Sequence, residues 1–236
     1  MANKVKIAVI GGGKWGKNHI RSLQNLNALG GIIDSDEEVQ SELKKKFPNT
    51  MVKSVIDQNF IDQIDGFVVA TTPDTHFEIA KQIISIGKPL LVEKPLVLSM
   101  GDAKDLKSHL EANNGRLMVG HLLLFHPAIM KMKLLLDKGI LGDLQYIYSN
   151  RLNLGKVREN ENVFWSFAPH DIALFQWLTE SYPKKINSNG MDILQNGIHD
   201  TTITTLEYPN RLMAHIYVSW LHPFKEHRFV VVGSKG

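Results

Sequence analysis

A glycine-rich turn near the start of the chain constrains the fold more than any other sequence feature. An apolar run at residues 5–10 leads directly into Gly11-Gly12-Gly13-Lys14-Trp15-Gly16, and a helical pattern follows. In this G-x-G-x-x-G spacing the first glycine permits a tight turn, the second lets backbone N–H groups approach a pyrophosphate, and the third lets the helix close on the strand. The new helix N-terminus favours the anion. The sequence therefore predicts a βα unit that binds a dinucleotide.

An acidic residue follows at the distance that such a unit requires. Asp34 comes about 20 residues after the first glycine, at the end of a second apolar run, where a carboxylate would accept hydrogen bonds from ribose hydroxyls and repel a 2′-phosphate. Asp36 is close and no arginine is nearby in the sequence. The pattern therefore favours NAD over NADP. The alternative is that Asp34 only caps the helix predicted from residue 37.

The first half of the chain alternates apolar runs with helical patterns. We predict helices at residues 15–26, 37–47, 75–86 and 99–113, and strands at residues 5–10, 29–33, 66–70, 89–93 and 117–120. Strands that are apolar throughout are typical of a parallel sheet covered by helices on both faces. The sequence predicts an α/β protein whose residues 1–120 form a Rossmann-type NAD-binding domain.

After residue 120 the pattern changes. Helices are predicted after Pro127 and at residues 169–179, and strands at residues 144–154, 201–208, 212–221 and 227–232. In the first of these strands Arg151 and Asn153 alternate with apolar residues, which predicts a polar face open to a ligand, with Ile147 as an exception. We expect residues 121–236 to form a substrate-binding and oligomerisation domain of α+β type, with an open, mostly antiparallel sheet.

Composition excludes several classes of function. The chain has no cysteine, so disulfides and thiolate chemistry are excluded. No leader pattern is visible and no apolar stretch approaches the roughly 18 residues of a membrane helix, so we expect a cytoplasmic protein without a membrane partner. The net charge is +3, and the basic run at residues 44–46 lies at a helix end, so we expect no nucleic-acid partner. The histidines lack metal-ligand spacing, and no metal is predicted.

Five segments resemble the Gfo/Idh/MocA oxidoreductase family, which includes glucose–fructose oxidoreductase and inositol dehydrogenase. They are the glycine turn, residues 70–76, Glu93-Lys94-Pro95, Val119-Gly120-His121 and Pro169-His170-Asp171-Ile172. Residues 120–127, 151–158 and 162–172 most resemble UDP-N-acetylglucosamine-type 3-dehydrogenases. The resemblance implies oxidation of a UDP-N-acetylhexosamine, or its uronate, at carbon 3, in cell-surface polysaccharide biosynthesis. Dehydrogenation of another sugar or polyol is the first alternative, and a truncated, non-catalytic NAD-binding protein is the second.

The resemblance and the sequence patterns above together imply the residues of the site. His19 follows a family position near the cofactor. The residues expected to bind the cofactor are Gly11, Gly13, Lys14, Trp15, Gly16, Asp34, Thr71, Thr72, Pro73, His76, Glu93 and Lys94. Those expected to contact the small-molecule substrate are Lys94, His121, Arg151, Asn153, Trp165 and His170. Arginine suits a carboxylate or a diphosphate, although a surface ion pair is equally compatible with Arg151. The tryptophans could stack on a ligand or pack in a core.

Lys94 and His170 are the predicted catalytic residues. Hydride transfer from a secondary alcohol needs a base on the hydroxyl, and Lys94 follows a parallel strand at the edge where ligands bind. A free lysine, with a pKa of about 10.4, is a poor base at neutral pH, but burial and a positive nicotinamide ring would disfavour its charged form. His170 has an ordinary pKa of about 6.5 and can take or give a proton. The alternatives are a surface lysine and a structural histidine.

The sequence departs from the family in two places. Family members continue well beyond a glycine pair like Gly233 and Gly236, so we expect the second sheet to be incomplete. Ser166 stands one helical turn before His170, where many members carry an aspartate. Any role of that aspartate is therefore absent or moved. The resemblance further implies a homo-oligomer, a dimer or a tetramer, formed through the second-domain sheet.

Overall fold

The computed structural model describes residues 4–155, 157–158 and 161–236. The chain divides into two compact units, Met1–Gly120 and His121–Gly236. Each unit contains one β-sheet and an apolar core of its own. In the described part of the chain, no helix combines the length and the apolar character that crossing a membrane requires.

The first unit contains a six-stranded parallel sheet. In chain order the strands are β1 (Ile7–Ile10), β2 (Leu29–Ile33), β3 (Met51–Lys53), β4 (Gly66–Val69), β5 (Leu90–Val92) and β6 (Leu117–Val119). Their spatial order is β3-β2-β1-β4-β5-β6, and every pairing is parallel. The predicted Rossmann-type sheet is confirmed. The three-residue strand β3 was not predicted, because so short a run has no visible periodicity.

Helices cover both faces of this sheet. They are α1 (Lys14–Asn25), α2 (Glu37–Lys46), α3 (Gln58–Ile61), α4 (His76–Ser85) and α5 (Met100–Ala112). Neighbouring residues of one strand serve opposite faces: Val9 packs in one apolar cluster with Ile20 and Ile32, whereas Ile10 packs in another with Phe67. This alternation explains why the buried strands are apolar throughout.

The second unit contains a five-stranded mixed sheet with helices α6 (Pro127–Asp137) and α7 (Val163–Thr179). Its strands are β7 (Leu144–Leu154), β8 (Lys185–Met191), β9 (Thr201–Glu207), β10 (Met213–Ser219) and β11 (Leu221–Gly233). The order is β11-β7-β10-β9-β8. The β7–β10 pair is parallel and the other pairs are antiparallel. The predicted α+β unit with a mostly antiparallel sheet is confirmed.

The start of α7 was predicted too late. The helix begins at Val163, where the Asn162 side chain caps it by accepting a hydrogen bond from Trp165 N at 3.0 Å. Pro169, which we expected at the helix start, lies inside the helix. Val163 and Ala168 are fully buried, so packing of this first part offsets the hydrogen bond that the proline lacks. His170 therefore lies in the middle of a helix and not at its N-terminus.

The prediction that the polar face of β7 is open to a ligand was also wrong. Ile147 and Ser149 are 0% and 1% exposed, and Ile147 packs in the core of the unit with residues of α7. The face that carries Arg151 is therefore the face toward α7. Tyr146 and Tyr148 lie on the opposite face. The edge strand β8 was missed because all its residues are exposed, so its sequence has no apolar alternation.

Candidate nucleotide-binding and catalytic sites

The glycine turn has the geometry that a bound diphosphate needs. Gly11 has a φ of +95°, a conformation that favours glycine. A Cβ atom on Gly16 would lie 1.7 Å from the Gly11 carbonyl oxygen, so only glycine lets α1 approach β1 this closely. A Cβ atom on Gly13, by contrast, would meet nothing within 4 Å. Open space thus lies beside the N-terminus of α1, and the residues present fit the pyrophosphate of NAD.

Asp34 is tied to this turn. Its Oδ2 accepts a hydrogen bond from Gly12 N at 2.6 Å, and its Oδ1 accepts one from Asp36 N at 2.9 Å. The helix cap that we considered for Asp34 is supplied by Asp36, whose carboxylate accepts from Glu38 N at 2.8 Å. The Asp34 carboxylate thus lies at the end of β2, beside the phosphate turn, where it could meet the adenosine ribose.

The segment after β4 is joined to the turn that carries Lys94. Thr75 Oγ1 donates to Thr71 Oγ1 at 2.7 Å. His76 is 1% exposed, its Nδ1 donates to the Pro95 carbonyl at 2.8 Å, and its Nε2 lies 3.2 Å from the Thr71 carbonyl oxygen. The Lys94–Pro95 peptide bond is cis. His76, which we expected at the cofactor, is thus a buried link between two loops at one edge of the sheet.

Glu93 follows β5 and is 8% exposed. His19 Nε2 on α1 donates to its Oε1 at 2.7 Å, and Lys94 N donates to its Oε2 at 3.2 Å. Burial acts to raise the pKa of Glu93, but the hydrogen bond and charge of His19, together with Lys94, outweigh burial and hold it below its ordinary value. The carboxylate is therefore ionised near neutral pH and fixes the start of the Lys94 turn.

These groups meet because parallel strands end at the same edge. The glycine turn follows β1, Asp34 follows β2, the threonine segment follows β4, and Lys94 follows β5. The chain leaves β1 for β2 on one side and returns to β4 on the other, which is the switch point where doubly wound sheets bind ligands. This edge can hold a dinucleotide and places one lysine beside it.

In the second unit two predicted residues come together. The rings of His121 and His170 lie with centroids 6.0 Å apart at an interplanar angle of 82°. His121 directly precedes a short 3-10 helix, Leu122–Phe125, and His170 lies in α7. Two imidazoles from separate elements thus form one cluster, which can bind a hydroxyl and exchange its proton.

Arg151 is bound to Asp171, the residue that follows His170 in the sequence. Its Nε donates to Asp171 Oδ2 at 2.6 Å, and Asp171 is 0% exposed. Burial raises the pKa of Asp171, while Arg151, Ser149 and the charge of His227 act in the opposite direction. The strand pattern placed Ser149 on the same face as Arg151, but nothing in the sequence linked Ser149 or His227 to Asp171, because these residues come together only through strand pairing and packing.

Four further predicted residues are exposed or half-buried. Trp15 and Trp165 are 48% and 42% exposed, so both are accessible to a ligand. Asn153 is half-buried on β7, and Lys14 is exposed at the start of α1. Ser166 is buried in α7. No group of three or more metal-ligating side chains occurs among the described residues.

Two family models match the chain. Residues 5–121 match the oxidoreductase family with an NAD-binding Rossmann fold, and residues 129–236 match the GFO/IDH/MocA C-terminal domain. Together they account for nearly the whole chain. The prediction of NAD as the cofactor is thereby confirmed.

Individual relatives are distant and chemically diverse. Inositol 2-dehydrogenase 1 of Saccharopolyspora erythraea is 28% identical over 75% of this chain and 55% of its own length. UDP-N-acetylglucosamine 3-dehydrogenase of Acidithiobacillus ferrooxidans is 26% identical over 79% of this chain and 58% of its own length. The structure of GenD2 from gentamicin A biosynthesis, in complex with NAD, covers 100% of this chain and 72% of its own, with 25% identity and a TM-score of 0.88. The chain belongs to the GFO/IDH/MocA family of NAD-binding oxidoreductases.

Proposed function

We propose that the chain is an NAD-dependent dehydrogenase that oxidises the carbon 3 hydroxyl of a UDP-linked N-acetylhexosamine or of its uronate. The observation that carries the proposal is the placement of Lys94 at the carboxyl edge of the parallel sheet, where the glycine turn and Asp34 fit NAD. The likeness to the Acidithiobacillus ferrooxidans enzyme supports the choice of substrate.

The chemistry divides between the cofactor and the side chains. When bound at the glycine turn and Asp34, NAD would supply the acceptor for the hydride that leaves the substrate carbon. Lys94 Nζ takes the one proton that the hydroxyl releases, and His170 would orient that hydroxyl through a hydrogen bond. Glu93 holds the backbone of Lys94 through its 3.2 Å hydrogen bond. His121, 6.0 Å from His170 between ring centroids, limits the orientation of that imidazole.

A substrate panel tests this proposal. The purified chain would be incubated with NAD and with UDP-N-acetylglucosamine, its uronate, myo-inositol and scyllo-inositol, and NADH formation would be followed by absorbance. We expect turnover with one of the UDP-sugars and its loss in Lys94→Ala. Turnover with the inositols alone would contradict the substrate assignment and favour the second candidate below.

The second candidate is a dehydrogenase of inositol or a related polyol. The 28% identity to inositol 2-dehydrogenase 1 favours it, and the same residues would perform the same steps on a ring hydroxyl. A third candidate of another class is an NAD-binding protein without turnover. NAD binding by calorimetry, combined with no NADH formation on any substrate of the panel, would select that candidate.

We propose in addition that the chain forms a homo-oligomer through the second-unit sheet. On the sheet face opposite α7, Ile203, Met213 and Val232 are 50%, 40% and 37% exposed, and strand pairing places them on that same face. An apolar surface of this kind favours association. Light scattering after size exclusion should show a dimer or tetramer that Ile203→Glu weakens. A monomer at every concentration would contradict the proposal.

A further inference from the structure

We propose that Arg151 is a positioning residue that fixes the orientation of His170 through Asp171, and not a residue that binds the substrate. The inference rests on the catalytic role proposed for His170. It reassigns a side chain whose residue type alone suggests a carboxylate or diphosphate ligand.

The contact between Arg151 and Asp171 is short and protected from water. The distance from Arg151 Nε to Asp171 Oδ2 is 2.6 Å, and the side chains are 18% and 0% exposed. A charge-assisted hydrogen bond in such surroundings is stronger than one in water. The guanidinium is thus directed at a buried carboxylate of α7.

Helix geometry carries this restraint to His170. Consecutive side chains of an α-helix point about 100° apart, so Asp171 can face the sheet while its neighbour faces a different direction. Asp171 is fully buried against β7, whereas the His170 ring meets the edge of His121. Anchoring the carboxylate to β7 therefore fixes the rotation of α7 about its axis at His170 and, with it, the direction of the imidazole.

The charges around Asp171 explain why the anchor depends on arginine. Ser149 of β7, and His227 of β11, which pairs with Arg151 across the sheet, both act to lower the pKa of Asp171. Burial, followed by the charges of Arg151 and Lys225, lowers the pKa of His227, so this histidine is largely neutral near pH 7. Arg151 is then the group beside the Asp171 carboxylate that stays positively charged near pH 7. Without it the buried charge would be uncompensated, and Asp171 would take up a proton or shift.

Steady-state kinetics separate the two roles of Arg151. A residue that binds substrate lowers affinity when it is removed, whereas a residue that positions a catalytic group lowers the rate of the chemical step. For Arg151→Gln we expect kcat to fall by about tenfold to a hundredfold, the size of a misplacement of about 1 Å. We expect KM for the substrate and Kd for NAD to stay within about twofold of wild type.

Two variants of the pair and one control sharpen the test. Arg151→Lys keeps the charge but lacks the planar donor fork, so it should restore part of kcat. Asp171→Asn keeps the shape of the side chain and removes its charge, and it should lower kcat as Arg151→Gln does. Arg211→Gln removes an exposed arginine of the same unit and should leave kcat unchanged. Circular dichroism of each variant shows whether it is folded. If Arg151→Gln does not fold, the kinetic comparison is made with Arg151→Lys.

A measurement without turnover tests the coupling itself. The imidazole NMR signals of His170, assigned with His170→Gln, should shift and titrate at a different pH in Arg151→Lys and in Asp171→Asn, but not in Arg211→Gln. Higher KM with unchanged kcat and unmoved His170 signals would overturn the inference in favour of substrate binding. If His170→Ala keeps full turnover, the proposed function of His170 fails, whereas the NMR signals still report whether Arg151 orients it.

Discussion

The His19 imidazole and the Glu93 carboxylate lie 2.7 Å apart and join helix α1 to the turn at the end of β5. The first residue lies on the helix whose N-terminus faces the proposed diphosphate, and the second is hydrogen-bonded to the backbone of Lys94. Hydrogen bonds within the first unit therefore connect the helix at the proposed diphosphate site to the proposed base, Lys94.

Replacing Glu93 with Gln should destabilise the protein in a pH-dependent way. The pKa of Glu93 lies below its ordinary value of 4.5 because His19 and Lys94 outweigh burial. The ionised carboxylate therefore stabilises the fold at pH values above 4.5, and this contribution is lost as pH falls through the lowered pKa. Urea unfolding at pH 7 should show a loss of about 2 kcal/mol in Glu93→Gln. The difference in unfolding free energy between wild type and Glu93→Gln should become smaller at acidic pH. A difference that stays constant down to the lowest pH at which the protein is folded would contradict a stabilising role of the ionised carboxylate.

Gly13 and Gly16 should respond differently to alanine. In Gly16→Ala the new Cβ would lie 1.7 Å from the Gly11 carbonyl, so α1 must move and the free energy of unfolding should fall by several kcal/mol, on the order of 3. In Gly13→Ala the Cβ meets nothing within 4 Å, so stability should change by less than about 1 kcal/mol. Calorimetry should nevertheless show NAD binding weakened by tenfold or more, about 1.4 kcal/mol, because the methyl group occupies the diphosphate space. Unchanged NAD affinity would place the diphosphate elsewhere.

NAD should bind at least tenfold more tightly than NADP, a difference of about 1.4 kcal/mol. The reason is the Asp34 carboxylate, which would repel a 2′-phosphate. Asp34→Ala should reduce the ratio of NAD affinity to NADP affinity. It should also weaken NAD binding itself, because the Asp34 carboxylate accepts a hydrogen bond from Gly12 N at 2.6 Å and so holds the glycine turn. Asp105→Ala, at an exposed position of α5, serves as the control in the same calorimetric titrations. Equal affinities of the wild-type chain for both cofactors would be incompatible with this role.

Lys94→Ala should lower turnover by about a hundredfold or more, the usual contribution of a general acid or base, with NAD affinity largely kept. His170→Ala should show a similar or smaller loss. Both are measured with the substrate found in the panel, and Lys104→Ala, on the exposed side of α5, is the matched control for the lysine. Wild-type rates in both variants would show that other residues carry the chemistry.

The sequence by itself determined the features that local physics controls. Strands buried on both faces must be apolar throughout, so β1, β2, β4 and β5 were visible as short apolar runs, and the edge strand β6 was visible because it is apolar as well. The glycines of the phosphate turn were predictable because each meets a backbone requirement within a few residues of chain. The position of Asp34 follows in the same way, since the length of one βα unit fixes where the second strand ends.

Tertiary structure alone decided which side chains meet. His19 and Glu93, like Arg151 and Asp171, come from separate elements, and nothing in the local sequence of either partner specifies the other. The face of β7 that is buried depends on where α7 packs, so Arg151 points at Asp171 even though its strand suggested an open polar surface. The start of α7 depends on burial of Val163 and Ala168. Burial and long-range pairing are properties of the folded chain as a whole, and no single segment contains them.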